Sequence, residues 1–537
     1  MPELLHPGVY VFEISSGVRP IEGVSTSTAA FIGIADKGQI PGTILPNGKM
    51  AVPQMVTIFT DYVRNFGGYR TDSFLTYAVK AFFDNGGRRL YIIRVASSNA
   101  AVSKNGATAL KISALTEGTW GDKLSVAIAN SADGETTNNF KLVVSLDGIP
   151  VETFEPVTWN ASTTLLDTSS TPAEYVRTAV NSRSEFIAIT ADITARPANT
   201  PAATPLALSA GAEGTAPTAA TFTGSPAPDN TVTGRGLNAL DKVTDVNLIA
   251  IPGQGAPGTV NAGMAYCKNQ RQLQDCFFIG DMGVLGVTAA RVDGAQPDVR
   301  KISDAVTYAG PAGFGGTPIN KADGDYGAIY YPWVWSADPI GTGRNPKILL
   351  PPSGFMAGIY ARTDNSRGVF KAPAGTEAGV SRAIAVATTG SATQQDVLNP
   401  INDNVIRTVP GSGIVVWGTR TIGSDAEWRY IPVRRVAIFL RVSIYYGIQW
   451  AVFEPNDEPL WGSLRLNIRS FMLTQFRAGA FQGSKPDDAF FVKCDSDTTT
   501  QADIDNGVVN ILVGFAPLKP AEFVVLRLQQ KVNQQVA

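Results

Sequence analysis

An alternation of buried strand and helix that breaks off near residue 100 and resumes near residue 236 is the strongest constraint on the fold. The run TAAFIGIA at 28–35 reads as a buried strand. Phe74, Leu75, Ala78 and Phe82 then place apolar side chains on one helical face until Asn85-Gly86-Gly87 ends the helix, and the strand RRLYIIRVA follows at once. After the break come VNLIAIPG at 246–253, a helical stretch from Val260 to Leu273, CFFIGDM at 276–282 and YGAIYYPWVW at 326–335. Strands alternating with helices are the signature of a parallel α/β sheet. The pattern predicts one discontinuous α/β domain from residues 25–100 and 236–370.

The interruption has its own pattern. Within 101–195 the alternating runs LSVAIAN, FKLVVSL and EFIAIT are divided by turn text such as ADGETT and LDGIP, which predicts an inserted β-sandwich with one short helix near Pro172 to Asn181. Residues 196–235 carry six prolines and almost no apolar period, the composition of an exposed linker.

Beyond 370 an α+β C-terminal domain is expected over 371–516, with helices near Pro432–Phe453 and Glu458–Ala480 and strands in FFVKC and VVNILVGFAP. The second helix sets a polar stripe of Ser463, Asn467, Ser470, Thr474 and Arg477 beside Leu460, Leu464, Ile468 and Phe471. The apolar stretch Val436–Phe453 is interrupted by Arg441, Ser443, Gly447 and Gln449, so it reads as a core helix and not as a membrane span. Two extended segments remain, VYVFEI at 9–14 in an arm spanning 1–24 and EFVVLRLQ at 522–529 in an arm spanning 517–537. A terminal strand with no evident partner in its own domain suits addition to the sheet edge of another copy.

Few kinds of chemistry fit. The single histidine, His6, stands far from any strand end of the α/β domain, so neither a serine nor a cysteine nucleophile has an evident imidazole base. The three cysteines, Cys267, Cys276 and Cys494, are too scattered for a zinc site or a disulfide framework and read as buried thiols of a reduced compartment. GTILPNGKM at 42–50 is the nearest thing to a phosphate loop, but five residues separate its glycines and Met50 stands where a hydroxyl is needed. The acid pairs Asp241/Asp245 and Asp487/Asp488 read as solvated, and the aromatic run Tyr330, Tyr331, Trp333 and Trp335 as core. Lys plus Arg total 44 against 46 Asp plus Glu, which gives nothing to attract nucleic acid. Charged residues are only 17% of the chain, consistent with a surface that meets other protein. The N-terminal text MPELLHPGVYVFEI has no secretory pattern. No catalytic, cofactor or metal site is expected.

Nearly the whole chain resembles a known family. PGVYV at 7–11, FIGIADKG at 31–38, NGGRRLYIIRV at 85–95, GTWGD at 118–122 and PPSGFMAGIYARTDNSRGVFKAPAG at 351–375 are similar to the sheath proteins of contractile phage tails and related injection machines. WGTRTIGSDAEWRYIPVRRV at 417–436, FEPNDEPLWG at 453–462 and KPAEFVVLRLQQ at 519–530 resemble that family's C-terminal domain. The resemblance implies a polymer of hexameric rings around an inner tube, and a middle α/β domain of subtilisin-like shape without a catalytic triad. It also implies an outer β insert and a C-terminal domain facing the tube. Strand-donating arms would map onto Val9, Tyr10, Val11, Phe12 and Ile14, and onto Phe523, Val525, Leu526 and Leu528. Arg465, Arg469 and Arg477 on the second C-terminal helix are the candidate tube-facing residues. Expected partners are the chain itself, the inner tail tube protein, and baseplate and tail terminator proteins, with no nucleic acid and no membrane insertion. The expected place is a virion tail or an injection-system particle assembled in bacterial cytoplasm. Sheaths of non-viral injection systems or tail-like bacteriocins fit equally, and a divergent or inactive α/β hydrolase is the competing reading from another class.

Overall fold

The computed structural model describes residues 20–527 apart from Ser98, 106–109, Glu135, 159–173, 192–195, 202–203, 230–231, 285–297 and 389–391. The chain forms two compact units. One comprises Ser25–Ser366 with Pro373–Ile431, and the other comprises the residues up to Val24, Arg367–Ala372 and the chain from Pro432 on.

The first unit is built on an eight-stranded sheet. Its strands are β1 (Ala29–Gly33), β2 (Gln54–Val56), β3 (Leu90–Arg94), β4 (Leu248–Ala250), β5 (Phe277–Asp281), β6 (Gly327–Tyr331), β7 (Asn404–Val409) and β8 (Gly413–Val416), in the order β2-β3-β1-β4-β5-β6-β7-β8. From β3 to β7 all pairings are parallel, and antiparallel β2 and β8 close the two edges. Every residue of β1, β5 and β6 is buried, as expected of strands covered on both faces. Strands β1 and β3 precede the insert in sequence and β4–β6 follow it, all in the same sheet. The boundary differs from expectation. Residues 373–431 belong to this unit and not to a C-terminal domain beginning at 371, because β7 and β8 extend the same sheet.

Helix α1 (Leu75–Asp84) starts where Ser73 Oγ accepts the Leu75 amide and donates to the Ile34 carbonyl. It ends at Gly86, whose φ of 107° suits glycine. Helix α2 (Pro257–Ala265) opens with Pro257 and passes into a single wide turn, Tyr266–Gln270, so it stops short of the expected Leu273. Helix α3 (Ser353–Arg367) lies hard against α1: a Cβ on Gly354 would stand 2.7 Å from the Ala78 Cα, and one on Gly358 2.6 Å from the Phe82 carbonyl oxygen.

The insert is a five-stranded sheet, mostly antiparallel, in the order 206–207, 124–129, 139–146, 149–158, 174–175. It is not a sandwich. The helix Val176–Arg183 and the two-strand ribbon Ile112–Ala114 with Ile187–Ile189 share its core, where Val176, Val180, Ile112 and Ile189 pack with Val126, Leu142 and Phe154. One helix and a short ribbon thus cover the face that a second sheet would have covered.

The Pro-rich segment is no free tether either. Thr200 bonds main chain to Ile128, Leu206–Ala207 form the edge strand of the insert, and Ser209 and Ala212 exchange backbone bonds with Lys104 and Ala101. Phe222 is buried, and Thr233 Oγ1 accepts the Gly42 amide on the α/β body. Its prolines occupy positions where no ladder donor is required.

The second unit contains α4 (Ile431–Gly447, entering the unit at Pro432), α5 (Glu458–Arg477), β9 (Phe490–Lys493) and β10 (Leu512–Phe515). Val436, Leu440, Ile468, Phe471, Met472, Phe481 and Phe490 form its core. Helix α4 ends at Gly447, which sits tightly on Ile21, and leaves Val452 and Phe453 exposed beyond the helix predicted to include them. Asp457 caps α5 by accepting the Leu460 amide at 3.1 Å. Among the described residues no helix is long and apolar enough to cross a membrane.

Candidate functional site

In open α/β sheets chemistry gathers beyond the carboxyl ends of the strands. There, β5 ends in Asp281 and α3 begins at Ser353. Asp281 accepts the Ser353 amide at 2.7 Å, the Ser353 hydroxyl at 2.8 Å and the Gly253 amide at 2.9 Å. Burial pushes the Asp281 carboxyl up to about 6, against the pull of these bonds. A serine on a helix N-terminus beside an aspartate has the look of a hydrolase site, but the parts do not work as one. Ser353 is wholly buried, so its hydroxyl is out of a substrate's reach, and Asp281, to which it donates, is buried with it. His6 lies outside the described residues. The pair ties a strand end to a helix start, and CFFIGDM and PPSGF are the only sequence trace of it.

The other candidate chemistry resolves into structure. Tyr330, Tyr331 and Trp333 are buried, with Tyr330 hydroxyl 2.6 Å from that of Tyr360 and Trp333 Nε1 donating to the Met282 carbonyl. All three cysteines are free and buried, and burial raises the Cys267 and Cys276 thiols. The text at 42–50 folds as a turn, closed by Ile44 pairing with Met50, with no helix following it. Asp245 pairs with Arg89, and Asp241 accepts the Tyr266 hydroxyl at 2.7 Å. Among the described residues no group of three or more His, Cys, Asp or Glu is placed to hold a metal.

Two features of the second unit remain. Strands β9 and β10 form a two-stranded antiparallel sheet, in register from Phe490–Phe515 to Lys493–Leu512. Apart from a bridge between Phe481 and Pro517, it gains no further strand among the described residues, and Phe491 and Leu512 are exposed on it. The C-terminal segment at 523–526 pairs with no strand among the described residues: Phe523, Val524, Val525 and Leu526 are 75%, 88%, 75% and 78% exposed. Leu528, and Val9, Tyr10, Val11, Phe12 and Ile14 of the N-terminal arm, lie outside the described residues.

The candidate tube-facing arginines on α5 are not equivalent. Arg465 bonds to Glu458 at 3.1 Å and to the Cys494 carbonyl, and Arg469 pairs with Asp487 at 2.8 Å while lying over the Phe490 ring. Arg477 is exposed. The polar stripe is broken, because Asn467 is buried.

One chain thus combines a mixed α/β body, whose buried Ser353–Asp281 pair ties a strand end to a helix start, with a small two-stranded sheet and an exposed apolar segment. Residues 236–422 match the model of the phage tail sheath protein central domain, and 423–531 that of the phage tail sheath C-terminal domain. The chain belongs to the phage tail sheath family. It is 26% identical over 193 residues to a protein of Pseudomonas aeruginosa described as a prophage major tail sheath protein. It is 28% identical over 196 residues to the tail sheath protein of Burkholderia phage BcepMu. These alignments take in 35% and 34% of this chain, and only 47% and 39% of the relatives' length. Among solved structures, the helical sheath of the anti-feeding prophage in its contracted state superposes with a TM-score of 0.55 at 22% identity, covering 98% of this chain and 100% of that one. A sheath tail protein from Listeria innocua gives 0.59 at 11%, covering 93% and 96%.

Proposed function

We propose that the chain is a structural, non-enzymatic subunit of a contractile sheath, which polymerises as hexameric rings around an inner tube and shortens to drive that tube through a cell envelope. The observation that supports this is the run Phe523–Leu526, apolar, exposed and paired with no strand among the described residues, in the same unit as a two-stranded sheet with edges to offer. An extended segment that adds to the edge of a neighbour's sheet supplies main-chain bonds which survive rotation of the bodies it joins. The N-terminal segment 9–14 acts likewise from the other end, and the β9–β10 sheet receives the arms. The α/β unit has a subtilisin-like shape without a catalytic triad, and the insert lies on the outside of the polymer. The inner tail tube, baseplate and tail terminator proteins are the partners, and the particle is a phage tail or an injection device assembled in bacterial cytoplasm. Both settings are represented among the similar proteins. The work of contraction is stored in a metastable lattice that rearranges into one burying more surface.

The test is removal of residues 1–16 in one variant and 518–537 in another, followed by negative-stain microscopy. Each variant should remain folded and soluble and form no tubes; tubes of normal length from either would remove that arm from the mechanism.

A further inference from the structure

A cavity of about 330 Å³ opens within the first unit, between the loop after β1, the turn at 45–49 and the insert. Lys37, Lys49, Arg64 and Arg183 line it, against one carboxylate, Glu185. The Lys37 ammonium sits 5.2 Å from the centre of the Phe186 ring and 5.9 Å from that of Trp120, and among the described residues no carboxylate pairs with it. The nearby Asp36 is already engaged by Arg70 at 2.8 Å. Thr116, also on the wall, is buried, and its hydroxyl finds no hydrogen-bond partner among the described residues. The loop is held firmly: the Lys37 amide bonds to the Phe66 carbonyl, and Arg94 donates to the carbonyl of Gly38.

We propose that this cavity binds a small anion carrying a carboxylate or a phosphate, with Lys37 as its principal partner. A half-buried ammonium with aromatic walls and no paired carboxylate is unfavourable as it stands, and burial lowers its proton affinity by more than the charges of Asp36 and Glu185 raise it. An anion set against it supplies a close counter-charge and an acceptor for the Thr116 hydroxyl. Lys49 comes from the text that fails as a phosphate loop. It donates to the Ser182 carbonyl at 3.0 Å and so brings its charge to the cavity rim. Lys37, Lys49 and Arg64 belong to the α/β body, whereas Thr116 and Arg183 belong to the insert. A bound anion therefore ties the insert to the body.

The experiment uses the full chain, kept below the concentration at which it polymerises. Acetylation of each lysine by acetic anhydride is followed by peptide mass spectrometry in inorganic phosphate, in citrate and in chloride of equal ionic strength. Because an anion holds Lys37 in its unreactive ammonium form, phosphate or citrate should slow its acetylation by about tenfold, the worth of one charged hydrogen bond, and leave exposed Lys104 unchanged. Protection by citrate alone assigns a carboxylate ligand, and protection by phosphate alone a phosphate ligand. Calorimetric titration of Lys37→Met should show the binding heat lost. Should that variant misfold, the acetylation rates of the unaltered protein decide. Equal rates in all three salts, or equal slowing of Lys104, would overturn the proposal. So would protection that needs no added anion and appears only on polymerisation, which would assign the cavity to an acidic side chain of a second copy.

Discussion

Replacing Val525 by proline separates folding from assembly. Val525 is three-quarters exposed in a segment that pairs with no strand among the described residues, so the substitution removes little internal packing. The stability of the isolated subunit should change by less than about 0.5 kcal/mol. In a strand added to a neighbour the same change removes a ladder donor, worth about 1 kcal/mol, and an apolar side chain whose burial is worth roughly 1.5–3 kcal/mol. Each junction then weakens by about 3 kcal/mol, on the order of a hundredfold, and every subunit in the lattice carries the defect. Urea denaturation of the unassembled variant, paired with sedimentation and negative-stain microscopy at rising concentration, reads both quantities. Val525→Thr, which keeps the amide and a β-branched side chain, should assemble. Tubes from the proline variant at the normal critical concentration would refute the reasoning. A loss of several kcal/mol in the isolated subunit would refute it differently, by showing that the arm is packed at home.

Three further outcomes are expected. Asp281, raised from 3.8 to about 6 in the folded chain, binds its proton more tightly folded than unfolded, so its own contribution to stability grows as pH falls from 7 towards 4. The advantage of the native protein over Asp281→Asn should therefore widen by about 2 kcal/mol across that window in denaturation curves, and a flat or reversed difference would count against the sealed-pair account. Reversing Arg469 and Arg477 to Glu should cost the subunit less than about 1 kcal/mol, because the Arg469–Asp487 pair is solvent-exposed, while co-sedimentation with the inner tube falls; unchanged co-sedimentation across salt concentrations removes both residues from the tube face. Gly354→Val, which drives side-chain atoms into the backbone of Ala78, should lower stability by about 2–3 kcal/mol in the same denaturation assay, with no compensating change in surface charge.

The parallel sheet was legible because strands buried on both faces, such as Phe277–Asp281, leave continuous apolar text. Strands β7 and β8 escaped notice for the opposite reason. One strand in from the sheet's edge, Asn404–Val409 is half polar, and only its pairing with Tyr330 and Tyr331 reveals where it belongs. Proline content misled over 196–235, since composition reports which donors are missing and says nothing of Ser209 or Ala212 bonding back to the insert. The Ser353–Asp281 tie joins positions 72 residues apart, a distance over which no local spacing operates. The apolar tail at Phe523–Leu526, by contrast, was plain in the sequence. An apolar run that stays exposed among the described residues looks the same before folding as after.

Arg94 stands at the end of β3, where the chain leaves the α/β body for the insert. Its buried guanidinium donates to the carbonyls of Ala35, Asp36, Gly38 and Glu117. Every one of these acceptors is main chain, and a main-chain carbonyl is offered by any amino acid at that place. This part of the joint is thus blind to side-chain identity on the guest's side, unlike the neighbouring contacts of Arg70 with the Glu213 carboxylate and of Lys37 with the Phe186 ring. A different sequence beyond Arg94 makes the same bond if it brings one oxygen back to where Glu117 now stands.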